Sequence, residues 1–194
     1  MIIVLIGPPG SGKGTQCKRL VNHFGIPHVS TGEMLREVRK QKSPQSREIA
    51  ENLDAGRLVS DDLILQLVED RLTQPDCQRG CLLDGVPRTL SQARTLDELF
   101  RRRGWSLDHV VALEVPADEL AARLLARAKV EGRFDDTPET MARRMKIYDE
   151  ETAPLLEFYR DQGMLRAIPA VGPQEDIFRK ILRAVSGQMQ ATRI

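Results

Sequence analysis

A doubly wound α/β fold, with helices covering both faces of a five-stranded parallel sheet, is what this sequence predicts. Two observations carry the prediction. Five short apolar runs alternate with longer segments of helical period, and a glycine-rich loop joins the first run directly to the first helical segment. The 194 residues suit one core domain, 1–194, carrying small excursions. At 41% hydrophobic and 29% charged residues, the chain has enough apolar material for a core and too much for a disordered polymer.

The strands are expected at Met1–Ile6, Pro27–Ser30, Cys81–Asp84, Val110–Val115 and Met164–Ile168. After the first, Cys17, Leu20, Val21 and Phe24 recur at helical spacing, and Gly25 stands where a C-cap glycine belongs. Ser30-x-x-Glu33 is a capping box opening the next helix. The stretch from Thr31 to Val59 holds two short helical patterns around Ser43-Pro44, too long for a simple crossover. Ser60 is expected to cap a helix with Leu63, Ile64, Leu67 and Val68 on one stripe. Asp118 begins another, with Leu120, Leu124 and Leu125 on its apolar side. Lys129–Thr137 is polar and holds a glycine and two aspartates, as a surface excursion would. Thr137-Pro138 is a cap-then-proline helix start. That pattern continues to about Gln162, kinked at Pro154 and stopped by Gly163. A last amphipathic helix runs from about Glu175, leaving a polar tail over Gln188–Ile194.

Lys and Arg total 29 against 28 Asp and Glu, so a net charge of +1 gives no global field for nucleic acid or a membrane surface. The opening MIIVLI is too short for a membrane span, and three cysteines make no disulfide framework. Together these point to a cytoplasmic protein in a reducing compartment. Cys77 and Cys81 read as a loop thiol and a core thiol. The three histidines, His23, His28 and His109, are scattered and read as making no site.

The chemistry starts at Gly7-Pro8-Pro9-Gly10-Ser11-Gly12-Lys13-Gly14-Thr15. Glycines let backbone N–H groups turn inward around phosphate oxygens, the helix start adds partial positive charge, and Lys13 reaches further phosphates. G-x4-G-K in register with a strand and a helix makes the expected sheet one of the phosphate-loop NTPase type. The residue after Lys13 is Gly14, not Ser or Thr, so the usual hydroxyl ligand for Mg²⁺ is missing there. The ion must then be held mostly through water and a carboxylate elsewhere. Asp84, at the C-terminal end of the CLLD strand, is the candidate. The alternative, a turn cap before Gly85, is less favoured given the phosphate loop beside it.

GPPGSGKGTQ resembles the phosphate loop of the nucleoside monophosphate kinases, and from there the rest of the chain resembles the adenylate kinase family. Thr31-Gly32-Glu33-Met34-Leu35-Arg36 is similar to that family's monophosphate-binding helix start. Asp84-Gly85-Val86-Pro87-Arg88 is similar to its Asp-Gly-aromatic-Pro-Arg stretch, with Val86 in place of the aromatic. Gly132-Arg133-Phe134-Asp135-Asp136 is similar to its lid. The resemblance implies transfer of phosphate between ATP and AMP to give two ADP, with Mg²⁺. It implies a monophosphate-binding insertion over 30–59 and a short lid over 128–138. This lid has no cysteines, unlike the zinc-bearing lid of some relatives, so no structural zinc is expected.

Residue by residue, the resemblance implies that Gly10, Ser11, Gly12, Lys13, Gly14 and Thr15 bind ATP phosphates. Arg123 stacks on the ATP base, Arg127 touches its phosphates, and Gly172 contacts its adenine through backbone. Thr31, Arg36, Arg57, Leu58 and Val59 bind AMP, as do Gly85, Val86, Pro87 and Arg88. Gln92 reads the adenine edge, and Arg133 and Arg144 bridge to the acceptor. Lys13, Arg88, Arg123, Arg127, Arg133 and Arg144 form the catalytic set. ATP and AMP together bring roughly six negative charges, so transfer needs several fixed cations around the moving phosphoryl. No general base is expected, because the acceptor phosphate oxygen is already ionised. A monomer acting on free nucleotides is the expected state. The competing readings are a UMP/CMP kinase, against which Thr31 and Gln92 argue, and a phosphate-loop switch or hydrolase, for which no guanine-reading Asn-Lys-x-Asp motif is present.

Overall fold

A computed structural model of the chain describes residues 1–41, 44–131 and 137–187. Five strands form one sheet: β1 (Ile2–Ile6), β2 (His28–Ser30), β3 (Cys81–Asp84), β4 (His109–Glu114) and β5 (Leu165–Pro169). Their order is β2-β3-β1-β4-β5 and every pair is parallel. The five expected strands are thus all present, with no bound moved by more than one residue. Among the described residues the helices are α1 (Lys13–Phe24), α2 (Thr31–Arg39), α3 (Pro44–Asp54), α4 (Asp61–Leu72), α5 (Leu90–Arg103), α6 (Ala117–Glu131), α7 (Pro138–Ile147), α8 (Pro154–Asp161) and α9 (Gln174–Ser186).

Strand β1 is buried along its whole length, as a central parallel strand covered on both faces must be. Its alternate residues enter different cores. Ile2, Val4 and Ile6 join Leu83, Val110, Val68, Leu96, Leu155 and Tyr159 beneath α4, α5 and α8. Ile3 and Leu5 join Leu82, Val111 and Leu113 beneath α1 and α9, through Cys17, Leu20, Ile177, Ile181 and Val185. Each fully buried aliphatic side chain contributes about 1.5–3 kcal/mol. Helix α9 also touches α1 through polar groups. Gln16 Nε2 donates to the Gln174 carbonyl at 3.1 Å, and Arg19 pairs with Glu175.

Sheet register brings the C-terminal ends of three strands level. Asp84 pairs with Leu5 of β1 on one side and with Ser30 of β2 on the other. The loops after these strands therefore open onto one crevice, the place where open parallel sheets bind ligands.

Local signals mostly survive. Gly25 ends α1 in the left-handed conformation, its N–H bonding to the Val21 carbonyl. Ser30 caps α2 by accepting from the Glu33 N–H, and Thr137 caps α7 by accepting from the Thr140 N–H. Two expectations need correction. Ser60 precedes α4 but its side chain makes no cap bond; Asp61 and Asp62 supply negative charge in the first turn instead. The helix foreseen from Thr137 to Gln162 is not one kinked rod. A π-helical turn, Tyr148–Thr152, separates α7 from α8, closed by the Ala153 N–H on the Tyr148 carbonyl. Pro154 lacks an N–H to continue the ladder, so it opens α8 as a first-turn proline.

Tyr159 is fully buried in the core beneath α5 and α8, yet its hydroxyl has no hydrogen-bond partner. Leaving such a group buried costs about 1–3 kcal/mol. Tyr159→Phe is therefore expected to hold or raise stability in urea unfolding. A loss above about 1 kcal/mol would mean the hydroxyl has a stabilising contact.

Candidate functional site

A cleft of about 730 Å³ opens at the C-terminal ends of β1, β2 and β3. Its first wall is the loop between β1 and α1. Gly10, Ser11, Gly12, Lys13, Gly14 and Thr15 all line it. Gly12 sits at φ 90°, a conformation open to glycine, and so turns the chain into α1. Helix α1 begins with neither a capping side chain nor an acidic residue in its first turn. The N–H groups of Lys13, Gly14 and Thr15 lack acceptors within the helix and lie beside the positive end of its dipole. Lys13 reaches back over the loop, its Nζ donating to the Gly7 carbonyl and, at 3.1 Å, to the Pro8 carbonyl.

The opposite wall comes from α2, the segment before α4, and the stretch after β3. Thr31, Arg36, Arg57, Leu58 and Val59 line it, as do Asp84, Gly85, Pro87, Arg88 and Gln92. The buried Thr31 hydroxyl donates to the Gly85 carbonyl at 3.0 Å, locking α2 to the end of β3. Gly85 has φ +84°, and a Cβ there would lie 2.5 Å from Thr31 Oγ1 and 3.1 Å from an Arg88 nitrogen, so no larger residue fits. Gln92 is held at both ends of its amide. Its Oε1 accepts from the Arg88 N–H at 2.7 Å, and its Nε2 donates to Asp61 Oδ1 at 2.7 Å. Arg57 Nε donates to Asn52 Oδ1 at 3.1 Å.

Arg88 opens onto the cleft while protein surrounds it, and Nε donates to the Gly85 carbonyl at 2.9 Å. This enclosure pulls its pKa below the ordinary arginine value; Asp84 opposes that, and Arg144 and Arg36 add to it. Arg36 and Arg144 thus stand near enough to Arg88 to disfavour its charge, an effect that an anion would offset. Arg123 lies at the rim with a fixed plane, Nε on Glu119 at 3.0 Å and a terminal nitrogen on the Ala170 carbonyl at 2.9 Å.

Asp84 stands between the walls. Burial works against its ionisation, but His28, Lys13 and Arg88 outweigh this and hold the carboxyl below its usual value. His28 Nε2 lies 3.4 Å from Asp84 Oδ2, out of alignment for a hydrogen bond. Cys17 lies beside the same carboxylate, and burial together with that neighbour pushes its thiol pKa far up.

The structure therefore gathers most of the residues singled out from sequence into one cleft. Val86 is different: at 1% exposure it belongs to the core under the site. Gly172, at φ +100°, lies in the loop before α9 and does not line the cleft. The Arg127 side chain and Arg133, with the rest of 132–136, lie outside the described residues. Sequence reasoning missed His28 and Cys17 beside Asp84, and it missed Asp61, which fixes Gln92. It also missed Tyr148 and Thr152, which the π-helical turn brings to the cleft. The parallel order of β1, β2 and β3 is the one signal that could have paired His28 with Asp84.

A family model described as adenylate kinase matches residues 5–164. Among similar proteins, one named adenylate kinase from Stenotrophomonas maltophilia is 45% identical over 187 residues, 96% of this chain and all of the relative. Another, from a Cyanothece species, is 43% identical over 192 residues, 99% of this chain and 98% of the relative. A third, from Mycolicibacterium paratuberculosis, is 48% identical over 185 residues, 95% of this chain and 99% of the relative.

Because Asp84 is held low, it binds protons less readily folded than unfolded. Its stabilising contribution is present above the usual carboxylate value of 3.8 and is lost as pH falls through the lower folded value. A carbon-detected NMR titration of the Asp84 carboxyl is expected to give a midpoint below 3.8; a midpoint above it would contradict the charge balance described here.

Proposed function

The chain belongs to the adenylate kinase family, and from that premise we propose how its residues divide the work of reversible phosphoryl transfer, ATP + AMP ⇌ 2 ADP. The observation that carries the reading is the pairing of two cationic walls across one cleft. The phosphate loop with Lys13 stands on one side, and Arg36, Arg88 and Arg144 on the other.

ATP phosphates take the α1 terminus and Lys13, which exchanges the Gly7 and Pro8 carbonyls for phosphate oxygens. Gly10, Ser11, Gly12, Gly14 and Thr15 surround those phosphates through backbone. Arg123, held flat by Glu119 and the Ala170 carbonyl, stacks on the ATP base, with Gly172 as a backbone contact to the adenine. Arg36 and Arg88 take the AMP phosphate, and Arg144 spans the gap. Arg127, on the helix beside the 128–138 lid, and Arg133, within it, complete the cage. Closure of such a lid excludes water, as in adenylate kinases generally.

The AMP base belongs between the 30–59 insertion and Gln92, with Thr31, Arg57, Leu58 and Val59 along one side and Gly85, Val86 and Pro87 forming the floor. Asp61 and the Arg88 N–H fix which way the Gln92 amide points. Each amide atom keeps one further hydrogen-bonding capacity, a donor beside an acceptor, matching the edge of adenine.

Attack on the γ-phosphoryl needs no proton removed, since the AMP phosphate oxygen arrives ionised. This chain's contribution is alignment and charge. Anion binding relieves the mutual repulsion of Arg36, Arg88 and Arg144, so the site gains most when both nucleotides are in contact. Members of this family generally use Mg²⁺ with ATP. Asp84 suits it, as an ionised hard oxygen donor facing the cleft, and Gly14 leaves no hydroxyl after Lys13. Asp84 would hold the ion through water, and the bound ion supplies positive charge to the transferring phosphates. A monomer is supported by a cleft built from one chain. The net charge of +1 gives no field for nucleic acid. The free thiols at Cys17, Cys77 and Cys81 support a cytoplasmic location. Among the described residues no helix is long and apolar enough to cross a membrane.

A coupled assay comparing AMP, UMP and CMP as acceptors tests the reading. AMP is expected to be turned over fastest, and UMP turnover exceeding it would overturn the assignment of Gln92. Arg88→Ala is expected to lower kcat about 10²- to 10³-fold. Its melting temperature should shift by no more than about 4 °C, since removing one of three repelling cations costs the fold little. Near-normal turnover would remove Arg88 from the transfer step.

A further inference from the structure

Cys17, His28 and Asp84 come from α1, β2 and β3, and their donor atoms all lie within 4.8 Å of one another; His28 and Asp84 line the cleft and Cys17 is buried behind them. Among the described residues this is the one cluster of three such groups. In a tetrahedral zinc site with bonds of about 2.0–2.3 Å, neighbouring donors stand about 3.3–3.7 Å apart. His28 Nε2 and Asp84 Oδ2 are already at 3.4 Å, and the thiol needs to close by only about 1 Å. His28 Nε2 is out of contact with solvent and has no hydrogen-bond partner. A buried nitrogen left this way, 3.4 Å from a carboxylate oxygen and within 4.8 Å of a sulfur, is placed as a ligand would be. On the far side of the ring, Nδ1 lies 3.9 Å from Glu33 Oε2, beyond hydrogen-bond distance.

We propose that Cys17 Sγ, His28 Nε2 and an Asp84 carboxylate oxygen form a binding site for one zinc-class divalent cation. The donor set decides the class. Sulfur and imidazole suit Zn²⁺ and Co²⁺, whereas Mg²⁺ takes oxygen. Three protein donors would leave a fourth position for water or a phosphate oxygen. On binding, the Cys17 S–H bond breaks, its proton leaves to buffer and a sulfur–metal bond forms; no electron changes hands. Such an ion occupies Asp84. A consequence that rests on the role proposed for that residue is that Zn²⁺ and Mg²⁺–ATP oppose each other.

The test is Co²⁺ titration of the nucleotide-free full chain, read by absorption. The expected result is a thiolate-to-cobalt charge-transfer band saturating at one equivalent, displaced by Zn²⁺. The band should vanish in Cys17→Ser. In His28→Gln, which alters a partly exposed residue, affinity should fall by more than about tenfold. Cys17→Ala and circular dichroism guard against a misfolded Cys17→Ser. A parent protein without the band, or a band of full strength in Cys17→Ser arising from Cys77 or Cys81, would overturn the proposal. Activity at fixed Mg²⁺ separates this site from the catalytic reading. Zn²⁺ inhibition that weakens about tenfold in His28→Gln, each variant scaled to its own zinc-free rate, supports both. A saturated cobalt band without inhibition upholds the site and removes Asp84 from phosphoryl transfer.

Discussion

Charged groups held in one small enclosed space are the constraint around which this molecule is organised. Enclosure by protein does most to lower the proton affinity of Arg88; Asp84 opposes it, and the nearby charges of Arg144 and Arg36 add to it. Side chains on mobile segments would relax away from such a field. These cannot, because their backbones are anchored in a close-packed interior. The anchors are the level ends of β1, β2 and β3, the Thr31 hydrogen bond to the Gly85 carbonyl, and a glycine that admits no side chain. Core burial offsets the cost of holding these charges in an enclosed place, and an anion in the cleft would lower that cost.

The same economy explains the recognition side. An amide free to flip would accept either donor–acceptor order on a base. Gln92 is denied that freedom by Asp61 at one end and a main-chain N–H at the other. The π-helical turn at Tyr148–Thr152 plays a comparable part. Thr152 donates to the Arg88 carbonyl at 2.9 Å, so the helical irregularity braces the segment that presents Arg88.

How much of this was legible in the sequence follows from the range of each interaction. Strands, caps and the phosphate loop depend on neighbours within a few residues, and Gly25, Ser30 and Thr137 behave as local rules require. Ser60 does not, since Asp61 and Asp62 satisfy the helix start electrostatically and leave its hydroxyl unused. The wall residues were found through linear motifs. Their physical state was not, because the surroundings of Arg88 combine burial with residues 36, 84 and 144, which no short window contains. His28 was dismissed for the same reason: its partners are 11 and 56 positions away, joined only by parallel strand pairing. Pro154 marked the irregularity at the right place but gave no means of telling a kink from a π turn.

The seating of α1 against α9 has an implication for the order in which the protein matures. The helix that follows the phosphate loop draws support from Ile177, Ile181 and Val185 and from the Gln16 and Arg19 contacts near residue 174, about 158 positions further along the chain. The loop is therefore made long before the surface that steadies the helix behind it. A chain stalled before α9 presents the phosphate-loop residues without the surface that holds them in place.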